Sequence, residues 1–70
     1  MQKEYDSEVD GLFIWFLEDI EKAKGNFEKE VWPSELNNEI GFLFNTDGKI
    51  LGIEVQPASK YFDEIFLNSL

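Results

Sequence analysis

The amino-acid sequence predicts a mostly β domain of the α+β class: a single antiparallel sheet of about four strands backed by a C-terminal helix. Three observations carry that prediction. Two apolar runs, Ile40–Phe44 and Ile50–Val55, flank Asn45-Thr46-Asp47-Gly48, the pattern of a β-hairpin. Gly11–Leu17 reads GLFIWFL, three aromatic residues and an isoleucine among seven, a composition that favours strand. Tyr61–Leu70 instead repeats apolar residues at helical spacing, with Phe62, Ile65, Phe66 and Leu70 on one face.

Taken from the N-terminus, Gln2–Tyr5 is a short first strand and Tyr5–Gly11 the turn that leads into Gly11–Leu17. A helix from Val9 to Ala23 competes for this stretch, because Val9, Phe13, Phe16 and Ile20 would share a stripe and Gly25 would stop it. The aromatic and β-branched content decides for a strand. Asn26–Trp32 alternates weakly and is ended by Pro33, so it reads as a further strand, although Glu18–Asn38 as a whole leaves strand, helix and loop open. In the hairpin, Gly48 suits the left-handed position that closes a three-residue loop. That loop places Asn45 opposite Lys49, Phe44 opposite Ile50, Leu43 opposite Leu51 and Phe42 opposite Gly52, with the Phe42 ring covering the glycine. One face then carries Ile40, Phe42, Phe44, Ile50 and Glu54, and the other Leu43, Leu51, Ile53 and Val55. Both are apolar, so both require cover. The last helix, capped by Ser59, covers one of them.

Seventy residues make one domain, 1–70, and a chain of this size buries only about 60% of its unfolded surface. It has no cysteine and no histidine, which removes disulfides and the commonest zinc ligands. An aromatic core or oligomerisation is left to stabilise it. Fifteen acidic residues face six basic ones, all lysine, for a formal charge of −9. That balance argues against nucleic acid and against anionic membrane surfaces, whose affinity comes from Lys and Arg. Seven of the acids (Glu4, Asp6, Glu8, Asp10, Glu18, Asp19 and Glu21) lie in the first 21 residues beside Lys3 alone. The longest apolar run, Leu12–Leu17, is too short to span a membrane, and no signal peptide is visible, so cytoplasm is the expected location.

Two blocks of the sequence are distinctive. Tyr5-Asp6-Ser7-Glu8-Val9-Asp10-Gly11-Leu12-Phe13-Ile14 resembles a Tyr-Asp-x-Glu-x-Asp-x-Leu-Tyr-Ile opening. Asp47-Gly48-Lys49-Ile50-Leu51-Gly52-Ile53-Glu54-Val55, followed by Ala58-Ser59-Lys60, resembles an Asp-Gly-x-x-x-Gly-Ile-Glu-Ile…Ala-Ser-Lys ending. Together they resemble the small bacterial family called domain of unknown function 2283. The resemblance implies a compact, mostly antiparallel β protein and no assigned activity. Glu18–Asn38 is longer and more charged than the usual connection of that family, and Tyr61–Leu70 extends past the point where many members stop.

Candidate chemistry is sparse. Asp6-x-Glu8-x-Asp10-Gly11 resembles the start of a calcium loop, but its twelfth position is Leu17, where a bidentate glutamate is required. Its carboxylates are expected to hold turn amides instead, and no metal or cofactor is expected. Glu54 lies between two apolar strand residues, where burial would raise its pKa, and pairing with Lys60 or with the start of the last helix is the expected outcome. The serines have no histidine to activate them and no glycine-rich phosphate loop exists, so the chain is not expected to be an enzyme. Binding is the expected role. Trp15 and Trp32 are candidate aromatic anchors, and Glu18, Asp19 and Glu21 a candidate acidic surface, for a protein partner such as a basic toxin domain. An acidic surface with aromatic anchors could block a nuclease groove by imitating phosphate charge, as an immunity protein or antitoxin would. The alternative is a homodimer that buries the open sheet face without a toxin partner.

Overall fold

The computed structural model describes residues 1–69. It contains five strands, β1 (Gln2–Asp6), β2 (Gly11–Trp15), β3 (Phe27–Val31), β4 (Ile40–Asn45) and β5 (Ile50–Val55), and two short helices, α1 (Ile20–Gly25) and α2 (Glu64–Asn68). The strands form one antiparallel sheet in the order β1-β2-β5-β4-β3. The expected class therefore stands, with five strands in place of about four and with small helices. Glu18–Asn38 supplies the difference: it holds α1, the edge strand β3 and a single 3-10 turn at Ser34–Leu36.

Each side of the sheet carries its own small core. On one, Leu12 and Val55 pack with Ala58 and Leu67, flanked by Tyr5, Ile14, Ile40, Ile53 and Phe62. On the other, Trp15, Leu43 and Leu51 pack with Ala23 of α1, flanked by Phe13 and Ile20. The hairpin thus has two apolar faces, each with a cover. The covers are thin. The molecule measures 33 × 29 × 17 Å, and its shortest dimension is less than a sheet with a full helical layer on both sides would need.

Two expectations about the hairpin are corrected. The loop forms as read, with Phe44 opposite Ile50, the Asn45 N–H donating to Lys49 O at 2.8 Å, and Gly48 at φ 78°. Beyond it the register slips by one residue, so Leu43 faces Gly52 and Phe42 faces Ile53. An extra residue in one strand moves all following side chains to the opposite face. Ile53 and Val55 therefore join Ile40 under α2, and Glu54 turns toward the α1 side with Gly41. Gly52 is needed for a different neighbour than Phe42. A Cβ there would stand 2.2 Å from the Ile14 carbonyl oxygen, so glycine lets β2 approach β5. The ring over a strand glycine occurs instead at Gly41, where an added Cβ would stand 2.7 Å from the Trp32 indole.

The C-terminal helix is also shorter than Tyr61–Leu70. Asp63, not Ser59, caps it, accepting from the Ile65 N–H at 2.7 Å. Leu67 is its buried residue, whereas Ile65 is 82% exposed, so the inward stripe differs from the predicted Phe62, Ile65, Phe66 and Leu70 set. Leu70 itself lies outside the described residues. Only five helical residues form, and the chain arrives through a 3-10 turn at Ala58–Lys60, which rotates the face that meets the sheet.

Candidate functional site

Two clusters of carboxylates stand out, one at an end of the sheet and one on its α1 face. The first is built on Asp10, which closes the β1–β2 turn at φ 54°, a left-handed conformation that Asp tolerates better than most residues. Its Oδ1 accepts from the Tyr5 hydroxyl at 2.8 Å and from the Ser59 N–H at 3.0 Å, and its Oδ2 from the Ser59 hydroxyl. Its own carbonyl accepts from the Ala58 N–H at 2.8 Å, and the Gln56 side chain donates to the neighbouring Val9 carbonyl at 2.8 Å. The Ser59 and Tyr5 hydrogen bonds hold the Asp10 carboxyl below the usual aspartate range. The two sequence blocks that carry the family resemblance meet here, 49 residues apart. This is a structural joint. Within the turn, Asp6 Oδ1 accepts from the Glu8 N–H at 3.0 Å, so these carboxylates serve backbone amides.

The second cluster follows from the strand register. Glu4, Phe13, Glu54 and Gly41 form one row across the α1 face, and Gln2, Trp15, Gly52, Leu43 and Glu30 the next. Gly41 and Gly52 carry no side chains, so Glu54 and Glu30 meet across β4, beside the Trp32 ring that lies over Gly41. Burial, then the hydrogen bond and charge of Glu30, push the Glu54 carboxyl up to about 7. Oε2 of Glu30 is buried and has no hydrogen-bond donor among the described residues. Two ionised carboxylates offer each other only acceptors, whereas one retained proton gives the pair a donor. The expected Lys60 partner is elsewhere: its Nζ lies 2.8 Å from Glu39.

Beside the pair opens an apolar groove of about 290 Å³, lined by Phe13, Trp15, Lys24, Phe27, Glu30 and Leu43. The Phe13 and Trp15 rings stack at 5.5 Å, and Phe27 is 43% exposed on the rim. Lys24, which lines the groove, reaches Glu4 at 3.4 Å.

The structure separates the five residues singled out from the sequence. Trp15 is a core residue, 3% exposed, whose Nε1–H donates to Glu4 at 3.0 Å; it is not a free anchor. Trp32 is half-buried and does lie on the α1 face. Glu18 is exposed and binds the N-terminal ammonium and the Gln2 amide, which lower its pKa. Asp19 caps α1, accepting from the Lys22 N–H at 3.1 Å, and Glu21 is exposed in its first turn. Trp15 lines the groove beside Glu30, and Trp32 lies over Gly41, the residue opposite Glu54. Glu54 was legible as a strand carboxylate among apolar neighbours, but Glu30 gave no signal, because its meeting with Glu54 depends on three strands in register.

Residues 3–59 match the profile of a family described as "Protein of unknown function (DUF2283)". No curated protein and no solved structure gives a match.

Proposed function

The chain belongs to the DUF2283 family, and on the geometry of its α1 face we propose that it is a protein-binding module for a basic partner surface. The observation that carries this reading is the open aromatic groove lined by Glu30, whose carboxyl meets that of Glu54, in a chain of net charge −9. Desolvated carboxylates at the edge of an apolar trough gain most from an arriving cation, and exposed aromatics supply contact area. A toxin domain with a basic substrate groove, such as a nuclease, is the partner of this chemistry, and the chain would act in the cytoplasm as its neutraliser rather than as an enzyme. No helix among the described residues is long and apolar enough to cross a membrane.

Capture from native cells followed by mass spectrometry tests the reading. A basic partner is expected, with association that slows as salt screens charge beyond ~8 Å. Replacing Glu18, Asp19 and Glu21 by Gln, Asn and Gln should slow association several-fold with the fold intact, since Asn still caps a helix. Trp32→Ala should speed dissociation. A neutral or acidic partner, or binding indifferent to salt, would overturn the proposal.

A second reading rests on the opposite face. Val31 and Ile50 are 42% and 48% exposed there, in register with Phe42 and Phe44 and beyond the reach of α2. A homodimer would bury this patch. Sedimentation at micromolar concentration distinguishes the two, because a strict monomer excludes the dimer.

A further inference from the structure

We propose that the groove and the Glu30–Glu54 pair together form a socket for one lysine or arginine side chain of the partner, the apolar stem lying along Phe13, Phe27 and Leu43 and the cationic head between the two carboxyls. This rests on the reading of the chain as a module for basic partners, and it names the group that the α1 face recognises.

The shape of the site selects the occupant. A long basic side chain is apolar for most of its length and charged at its tip. The groove is lined mainly by apolar side chains, with the Glu30 carboxyl and the Lys24 stem among them. Phe13, Trp15 and Phe27 present aromatic surface to the stem, and rings near a guanidinium or ammonium add a further attraction. A neutral apolar side chain would fill the trough and leave the carboxyls unpaired. An acidic one would add a third like charge. Only a cation completes both halves.

The pair lacks a cation of its own. Among the described residues no lysine nitrogen lies within ion-pair distance of Glu30 or Glu54, and the buried Oε2 of Glu30 accepts nothing. The charged groups that face the site are few. From α1, Lys24 also lines the groove, with its nitrogen 3.4 Å from Glu4 of β1 rather than on the Glu30–Glu54 pair. From β3, Lys29 turns to the other side of the sheet, 6.0 Å from the Phe44 ring. Glu30 is the carboxylate that lines the groove, and Glu54 meets it across β4.

One consequence separates a socket from a general acidic surface. Glu54, with its pKa near 7, is partly protonated around neutral pH, and an incoming cation must displace that proton. Cation binding should therefore strengthen as pH rises. A diffuse field of exposed carboxylates is already ionised and would show no such dependence in this range.

The test uses hexylguanidinium chloride, with hexanol as its neutral counterpart, followed by two-dimensional amide NMR on the intact chain. Hexylguanidinium should perturb the amides of Phe13, Glu30, Leu43 and Glu54, and more strongly than hexanol does. Its affinity should fall about tenfold between about pH 8 and pH 6, the fraction of ionised Glu54 setting the ratio. The double variant Glu30→Gln, Glu54→Gln should bind both probes equally, with its melting temperature confirming that it folds. Single variants distinguish the two carboxyls should the double variant fail to fold. Equal binding of both probes by the native chain, or an affinity flat across this pH range, would overturn the socket. The outcomes also separate this proposal from the one beneath it. A basic partner whose salt-dependent binding ignores both glutamines keeps the module and removes the socket. Hexylguanidinium binding in a chain whose native partner is acidic keeps the socket and removes the module.

Discussion

Asp10 and Glu54 are both strand-end or strand carboxylates in a chain with few cations, yet their surroundings push them in opposite directions. Asp10 receives donors from Tyr5 and Ser59, and its carboxyl is held below the usual range. Glu54 lies in a half-buried row against Glu30 and is raised to about 7. The difference teaches where each carboxylate spends its hydrogen-bonding capacity. At Asp10 every interaction is internal and joins the β1–β2 turn to the segment after β5. At Glu54 the partner is another carboxyl, and the buried Oε2 of that Glu30 has no donor among the described residues, which is the condition under which a surface recognises something else.

The strongest way to break the comparison is to remove the satisfied member. Asp10→Ala should lower the melting temperature more than Tyr5→Phe or Ser59→Ala alone, because each of those removes one donor and Asp10 removes the common acceptor. It also leaves a non-glycine residue at φ 54° without the side-chain contacts that hold it there. The sign with pH follows from the lowered pKa. The Asp10 contribution is present above the ordinary aspartate range and is lost as pH falls through the folded value. Thermal melts of the three variants at neutral and acid pH check this, and a milder effect for Asp10→Ala would sink the joint.

A moderate effect is expected at the other region from Gly41→Ala. The new methyl would stand 2.7 Å from Trp32 Cε2, so the indole must move, at a cost of about 1–3 kcal/mol. Displacing that ring also uncovers the side of the carboxyl pair, so Glu54 should titrate closer to the ordinary glutamate range. Denaturant melts report the first change and carboxyl-carbon NMR the second. An unchanged titration would separate Trp32 from the pair.

Glu54→Gln should have the smallest effect and the most informative sign. A glutamate raised from 4.5 to about 7 favours folding most at low pH and loses that contribution as pH rises through the folded value. The variant should therefore melt like the native chain near pH 4 and gain on it by pH 8. A constant difference across that range would mean that Glu54 is ordinary.

Sequence by itself determined the local elements. Asp47-Gly48 set the hairpin loop, the aromatic and β-branched run Gly11–Trp15 set β2, Pro33 followed the end of β3, and the Tyr-Asp-x-Glu-x-Asp and Ala-Ser-Lys blocks identified the family. Each rests on chemistry between neighbours in the chain: a turn glycine, a strand propensity, a missing amide hydrogen. Tertiary structure decided the rest. Gly52 admits the backbone of β2, the register of β4 and β5 slips by one residue, and that slip assigned Ile53 and Val55 to one core and Glu54 to the other face. It buried Trp15 against α1, left Trp32 over Gly41, and brought Glu30 to Glu54 across a strand whose intervening residue is glycine. None of these depends on residues adjacent in sequence. They depend on which backbones approach closely enough to exclude a methyl group, and that is a property of the assembled sheet.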